Sequence, residues 1–232
     1  VFTTFNTTAN ATNSNWNSYY TLIRRCNLML ERVPSVSMDE AKKNHYLGVA
    51  KFFRAYTYFR LAQEFGDVPY TDAFLQQNDV NVYKPALSRA DVINNVIKDL
   101  EEATSLMLTV DDKNVTVNKF TAYALLSRVC LYEGTNRKYN LGQPGNEYLE
   151  KAKAASLVVM NNASYKLNSD WKSLYNSLEL LDNSEVILAK RYLRGVLGNS
   201  IQAYTNTSTV QSGLSKFAAE SYTAINGLPV KQ

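Results

Sequence analysis

Few side chains in this sequence are of the kinds that make and break bonds, and their spacing narrows the chemistry further. His45 is the single histidine, so a His-based triad, a proton relay or a His-rich metal site has one candidate. It lies between Asn44 and Tyr46 early in a helical pattern, on a polar face, where a solvated side chain is expected. Acidic neighbours occur at Glu101-Glu102 and Asp111-Asp112. Glycoside hydrolysis needs two carboxyl groups about 5–10 Å apart across a cleft, and adjacent residues do not face each other in that way. Both pairs are read as solvated faces. Cys26 and Cys130, the only cysteines, fall inside apolar helical patterns. They are too few for a disulfide framework or a metal site and are read as small buried core residues. Gly66-Asp67-Val68-Pro69 lacks the glycine spacing and the lysine of a phosphate loop and is read as a helix stop, with Asp67 satisfying local amides. The residues call for no catalytic group, no metal and no cofactor.

Residues suited to binding are more plentiful. The chain carries 16 Tyr, 9 Phe and 2 Trp among many Asn, Ser and Thr, and surfaces that hold sugars or peptides use aromatic faces beside carboxamides. Tyr also fills interfaces between repeated helices, so composition leaves both uses open. Two stretches are candidates for ligand contact. One is the N-terminal arm with Phe2, Phe5, Asn6, Asn10, Asn13 and Asn15; the other is the region of Tyr192, Asn199, Gln202 and Tyr204. Each has a plain connecting segment as its alternative. Arg54 sits in the most apolar helical stretch, where a charge left unpaired costs about 3–5 kcal/mol. A structural role is expected, with Asp67, Asp99 or helix-end carbonyls as partners.

The elements that must position these groups are mostly helices. Residues 1–14 have no period and read as an arm. Trp16, Tyr20, Ile23, Asn27 and Leu30 form one face of a helix running to Val33-Pro34, with Tyr19, Leu22, Cys26 and Met29 as a second stripe. Ser37 to Glu40 reads as a capping box opening a helix to about Phe65. Its middle, 52–59, is apolar almost all round and belongs in the centre of a domain. Gly66 is placed for a left-handed stop and Pro69 blocks continuation. Ser88 starts a third helix through Val92, Val96, Leu100 and Ala103. Asn118 starts a fourth, with Gly134 just past its end, and a fifth runs from Glu147 to about Met160. After Asn161 the pattern becomes irregular. Residues 165–167 read as extended, 171–175 as a helical turn, 185–189 as a strand, 194–213 as a long loop and 214–224 as a last helix.

The fold class is therefore mostly all-α. It is read as a TPR-like helical-repeat solenoid with irregular loops and a short strand toward the C-terminus, although no strict period of about 34 residues is visible and an irregular bundle has the same periodicity. The organisation read from the chain is an arm at 1–14, a TPR-like helical region at 15–161, and at 162–232 the start of an irregular region that breaks off. Of 232 residues, 45% are hydrophobic and 20% charged, with a net charge of +4. This composition fits a globular protein. No Lys/Arg block tracks a nucleic-acid backbone, and no apolar run approaches the length of about 18 residues that spans a bilayer. The chain opens on Val1-Phe2-Thr3-Thr4 without a leader, which is read as a signal already removed or a start that is missing.

Several ordered segments resemble the SusD/RagB family of surface lipoproteins from the Bacteroidetes. Trp16-x3-Tyr20-x2-Ile23-x3-Asn27-x2-Leu30 is similar to that family's first repeat helix. The most specific match is Ala50-Lys51-Phe52-Phe53-Arg54-Ala55-Tyr56-Thr57-Tyr58-Phe59-Arg60-Leu61, closing with Phe65-Gly66-Asp67-Val68-Pro69. Leu87-Ser88-Arg89 with Ile97 to Ala103, Ala122 to Tyr132, Asn183 to Ile187, and Tyr222-x3-Asn226-Gly227-Leu228-Pro229 follow in order. The matches reach from residue 16 to 230. The resemblance implies a TPR-like fold packed against a further C-terminal region, with Trp16, Arg54, Tyr58, Gly66, Asp67 and Pro69 as scaffold. It implies non-catalytic capture of an oligosaccharide, or a peptide in the RagB branch, at the bacterial outer membrane. The partner implied is a TonB-dependent, SusC-like transporter, over which the lipoprotein closes as a lid. The lipid anchor of the family is not present in this chain, since Cys26 and Cys130 both lie mid-helix. Two other classes stand beside this one: a TPR-like protein–protein scaffold, and a secreted glycan-degrading enzyme, against which the lack of an acid–base pair speaks.

Overall fold

The computed structural model describes residues 13–109, 115–177, 180–181, 183–192 and 196–198. The chain divides into two compact units, Val1–Ala189 and Lys190–Gln232. The first holds six α-helices among its described residues: α1 Ser14–Arg32, α2 Glu40–Phe65, α3 Arg89–Leu106, α4 Lys119–Thr135, α5 Asn146–Met160 and the short α6 Trp171–Asn176. In the second unit the described residues form no helix.

Capping decides where the helices begin. Asn13 caps α1, its side-chain oxygen accepting from the amides of Asn15 (2.9 Å) and Trp16 (3.2 Å). α2 departs from expectation: Asp39, not Ser37, is the cap and accepts from the Lys42 amide. A carboxylate there also opposes the positive end of the helix dipole, which a serine hydroxyl does less well. Ser88 caps α3 as expected, accepting from the Asp91 amide. Asn118 caps α4, and Thr121 completes a reciprocal box by accepting from the Asn118 amide at 3.3 Å.

The ends are as informative. α1 runs into a single tight turn, Val33–Ser35, set by Pro34. α2 stops at Gly66, whose φ of +76° is open to glycine and strained for other residues. Its amide still donates to the Ala62 carbonyl at 3.2 Å. Gly134 does not end α4 but lies inside it, and the chain continues into one wide turn, Asn136–Asn140. The reason is packing. A Cβ on Gly145, at the start of α5, would overlap the Gly134 carbonyl oxygen, so two glycines let the backbones of α4 and α5 touch.

Each helix packs on the next: α1 on α2, α2 on α3, α3 on α4 and α4 on α5. The core runs through these contacts, with Ile23, Ala55, Tyr58, Leu61, Val92, Ile93, Val96, Leu100, Ala122, Val129 and Cys130 all buried. Cys26 and Cys130 are free and buried, and burial pushes their thiols up to about 11 and about 12. α2 is flanked on both sides but not surrounded, since Phe53 and Tyr56 remain exposed at 36% and 44%. The strand expected at 185–189 does not form. Just before that stretch Lys166 N–H donates to the Ser184 carbonyl (3.1 Å), and Val186 N–H closes a local turn on the Asn183 carbonyl (3.2 Å). An isolated antiparallel bridge joins Val68 and Leu87. The helix expected at 214–224 lies outside the described residues.

Candidate functional site

The site is built outward from Arg54. Its guanidinium is buried at 4% exposure and grips Asp99 of α3 bidentately, Nε to Oδ2 and Nη2 to Oδ1, both at 2.7 Å. Burial opposes its charge, but the hydrogen bonds and charge of Asp99 outweigh it and hold the guanidinium more firmly protonated than usual. Lys51 stands 3.6 Å from the same carboxylate. The remaining donor of Arg54, Nη1, reaches Asn27 Oδ1 (2.8 Å) and the Asp72 carbonyl (3.0 Å).

This is how the core reaches the loop that follows α2. Asn27 Nδ2 donates to the carbonyls of Thr71 (3.2 Å) and Ala73 (2.9 Å). The Tyr58 hydroxyl accepts from the Thr71 amide (2.8 Å) and donates to its carbonyl (3.1 Å). Tyr20 OH donates to the Pro69 carbonyl at 2.7 Å. Four side chains of α1 and α2 thus fix residues 69–73, backbone group by backbone group. At the loop's ends Val68 and Leu87 exchange both backbone bonds, at 3.2 and 2.9 Å. Asp67 accepts from the Arg89 amide (2.7 Å) and so joins the cap of α3.

Between this loop and α1 lies a cavity of ≈ 530 Å³, within the size range of ligand sites. Tyr20, Ile23, Pro69, Tyr70, Leu75 and Val82 give it an apolar and aromatic wall. Gln76, Gln77 and Asn81 supply carboxamides, and Arg24 and Lys84 supply positive charge. No carboxylate, histidine or thiol lines it. Burial raises the phenols of Tyr20 and Tyr70 well above their ordinary value, so both remain neutral.

The residues singled out from sequence are scattered. Phe2, Phe5, Asn10, Asn199 and Tyr204 lie outside the described residues. Asn13 is spent on the α1 cap, and Asn15 Nδ2 donates to Glu64 Oε1 at 2.9 Å. Neither lines the cavity. Tyr192 belongs to the second unit, 44% exposed, with the Lys190 ammonium 5.4 Å from its ring. Trp16 packs edge-on against Phe65 and tilted against Tyr20. Tyr58 is fully buried, and Pro69 joins the cavity wall. The two neighbouring carboxylates Glu101 and Glu102 diverge, one to Lys151 of α5 (2.5 Å) and one to Lys51 of α2 (2.6 Å). His45 is not solvated. It is half-buried, its Nδ1 accepts the Leu108 amide at 3.2 Å, and burial lowers its pKa.

Sequence reading passed over Glu133, which is 0% exposed and held between Arg89 (2.6 Å) and Arg137 (2.7 Å). It also passed over the carboxamides and cations of the cavity. The usable signal was Asn27, a polar residue standing on the apolar stripe of α1. The loop itself has no period to read.

The fold and cavity define an all-α protein in which successive helices hold a loop-walled site on one side. Residues 3–131 match the family model described as SusD-like, starch-binding and associating with the outer membrane. The SusD-like protein P38 of Formosa agariphila is 32% identical over 187 residues, covering 76% of this chain and 34% of that protein. A laminarin-binding SusD-like protein of known structure has a TM-score of 0.64 at 27% identity, covering 76% of this chain and 37% of that one. A SusD superfamily protein from Bacteroides fragilis shares the fold with a TM-score of 0.67 at 24% identity, over 80% of this chain and 38% of that one. The chain belongs to the SusD-like family. It spans about a third of the length of the curated relatives it matches.

Proposed function

We propose that this chain is the helical part of a non-catalytic binder that captures an oligosaccharide at the bacterial cell surface. In this reading the helices stack in TPR-like fashion, a lipid anchor holds the protein to the outer membrane, and the sugar passes to a TonB-dependent, SusC-like transporter. The observation that carries it is the chemistry of the cavity. Aromatic and apolar walls suit pyranose faces, and carboxamides suit hydroxyls. Hydrolysis needs a pair of carboxyl groups, and none lines the cavity. Membership of a family that includes a laminarin-binding protein adds support. Phe2, Phe5 and Asn10 of the arm and, separately, Tyr192, Asn199 and Tyr204 of the second unit are proposed as candidate ligand contacts.

The test is incubation of purified full-length protein with oligosaccharides, followed by calorimetry and by chromatography of the sugar. Binding with the sugar recovered intact is expected, as is copurification of a large β-barrel from gently solubilised membranes. Shortened sugars would overturn the non-catalytic assignment. Retention of peptides in place of sugars would move the chain to the peptide-binding branch.

A further inference from the structure

We infer that the cavity beside α1 takes a sugar carrying a negative charge, a carboxylate or a sulfate ester, met by Arg24 and Lys84. The inference rests on the glycan-binding reading above and names the class of glycan. Its basis is an imbalance of charge. Two cations line the cavity and no Asp or Glu does. By contrast Lys51, Arg54, Arg89, Arg137 and Lys151, which stand between helices, each pair with a carboxylate. Arg24 and Lys84 make no ion pair among the described residues.

Each is also prepared for a ligand. The Arg24 guanidinium lies over the Phe74 ring, 4.1 Å from its centroid. That contact holds the side chain beside the ring, and its N–H donors make no hydrogen bond among the described residues, so they are available for bidentate recognition of an oxyanion. The acid nearest Lys84 in effect is Asp79, whose carboxylate already accepts from Asn81 N and Nδ2, both at 2.8 Å. Those bonds, and only then Lys84, hold Asp79 below the ordinary carboxylate range. Asp79 does not line the cavity, and neither does Asp72.

Most of the neutral polar groups are committed. Tyr20 OH serves Pro69, Thr71 Oγ1 serves Ala73, Asn27 Nδ2 serves Thr71 and Ala73, and Asn81 Nδ2 serves Asp79. The carboxamides of Gln76 and Gln77 make no hydrogen bond among the described residues and are left for sugar hydroxyls. A neutral sugar would satisfy those amides and leave two cations facing it without a counter-charge. A uronate or a sulfated sugar satisfies both sets.

The experiment is an array carrying oligogalacturonates, sulfated galactans and neutral glucans, probed with full-length protein and with Arg24→Gln, Lys84→Gln and the double variant. Both positions are exposed, and thermal unfolding confirms that each variant folds. Binding to the charged members is expected, weakened about tenfold by each substitution, the loss of one charge-assisted contact. It should weaken further with added salt, and Arg24→Lys should retain more than Arg24→Gln. The carboxylate and sulfate arms tell which group is preferred. Binding confined to neutral glucans overturns the inference and leaves the glycan-binding reading standing, as does charged-member binding untouched by the double variant. Binding to no member of the array overturns both.

Discussion

Two buried ionic clusters, one on each side of α3, use the same chemistry for different ends. Around Arg54 the guanidinium and Asp99 are both almost wholly buried, and the arginine still reaches out to a loop carbonyl. Around Glu133 only the carboxylate is fully buried, while its partners Arg89 and Arg137 keep side-chain exposures of 21% and 18%. The first cluster ties the helices to the wall of the cavity. The second closes the junction of α3, α4 and the wide turn, next to the place where the backbones of α4 and α5 touch. The difference teaches that a buried charge serves function when one of its donors is left over for a loop, and serves packing when all its partners are helical neighbours.

The comparison can be broken at its stronger end first. Arg54→Met leaves Asp99 in the core with only Lys51, 3.6 Å away, as counter-charge, and removes the bonds to the Asp72 carbonyl and to Asn27 Oδ1. A loss of about 3–5 kcal/mol is expected, read by denaturant unfolding, with oligosaccharide binding lost as well. Gly145→Ala forces a methyl against the Gly134 carbonyl and should cost about 1–3 kcal/mol, with binding unchanged. Loss of binding in that variant would show that the two halves are coupled. Glu133→Gln keeps the shape and removes the charge. Because both arginines can turn toward water, about 1–2 kcal/mol is expected, less than for Arg54→Met. A larger loss than for Arg54→Met would reverse the ranking of the clusters.

The smallest effect is on pH dependence and belongs to the first half. The folded pKa of His45 lies below its ordinary 6.5 because of burial, so the unfolded chain binds its proton more readily than the folded one. Its contribution is present above about 6.5 and is lost as pH falls through the folded value. Unfolding midpoints recorded from about pH 7.5 to about 5.5 should fall in the wild type and fall less in His45→Phe. Equal slopes would remove His45 from the account.

The helices were legible because each has a local cause. Ser88 and Asn118 announce their caps, and Gly66 with Pro69 announces a stop, whereas Asn13, read as a ligand contact, is the cap of α1. Ser37 misled because two capping residues stood two positions apart and the carboxylate of Asp39 prevailed. Gly134 misled because its glycine serves a close approach from Gly145, which no pattern within one helix reveals. Arg54 was recognised as a buried charge needing a partner, and Asp99 was among those named. The cavity was not legible. Its wall, 69–84, has no period and a single capping residue, Asp79, for the one turn Val80–Tyr83, and its shape depends on hydrogen bonds from Tyr20, Asn27, Arg54 and Tyr58 that arise only once α1, α2 and α3 have packed. His45 looked polar by its neighbours because its acceptor role depends on the end of α3, 63 residues away.

The clasp between Val68 and Leu87 has a consequence for how this molecule can vary. It joins the two ends of the loop independently of what lies between them. The closure entropy of a flexible loop grows only with the logarithm of its length, about 0.6 kcal/mol per doubling. Insertions or exchanges beyond residue 73 therefore tax stability little while changing what lines the cavity. The scaffold behaves as a fixed socket and 74–86 as an exchangeable fitting, so selectivity can drift quickly on a core that hardly moves.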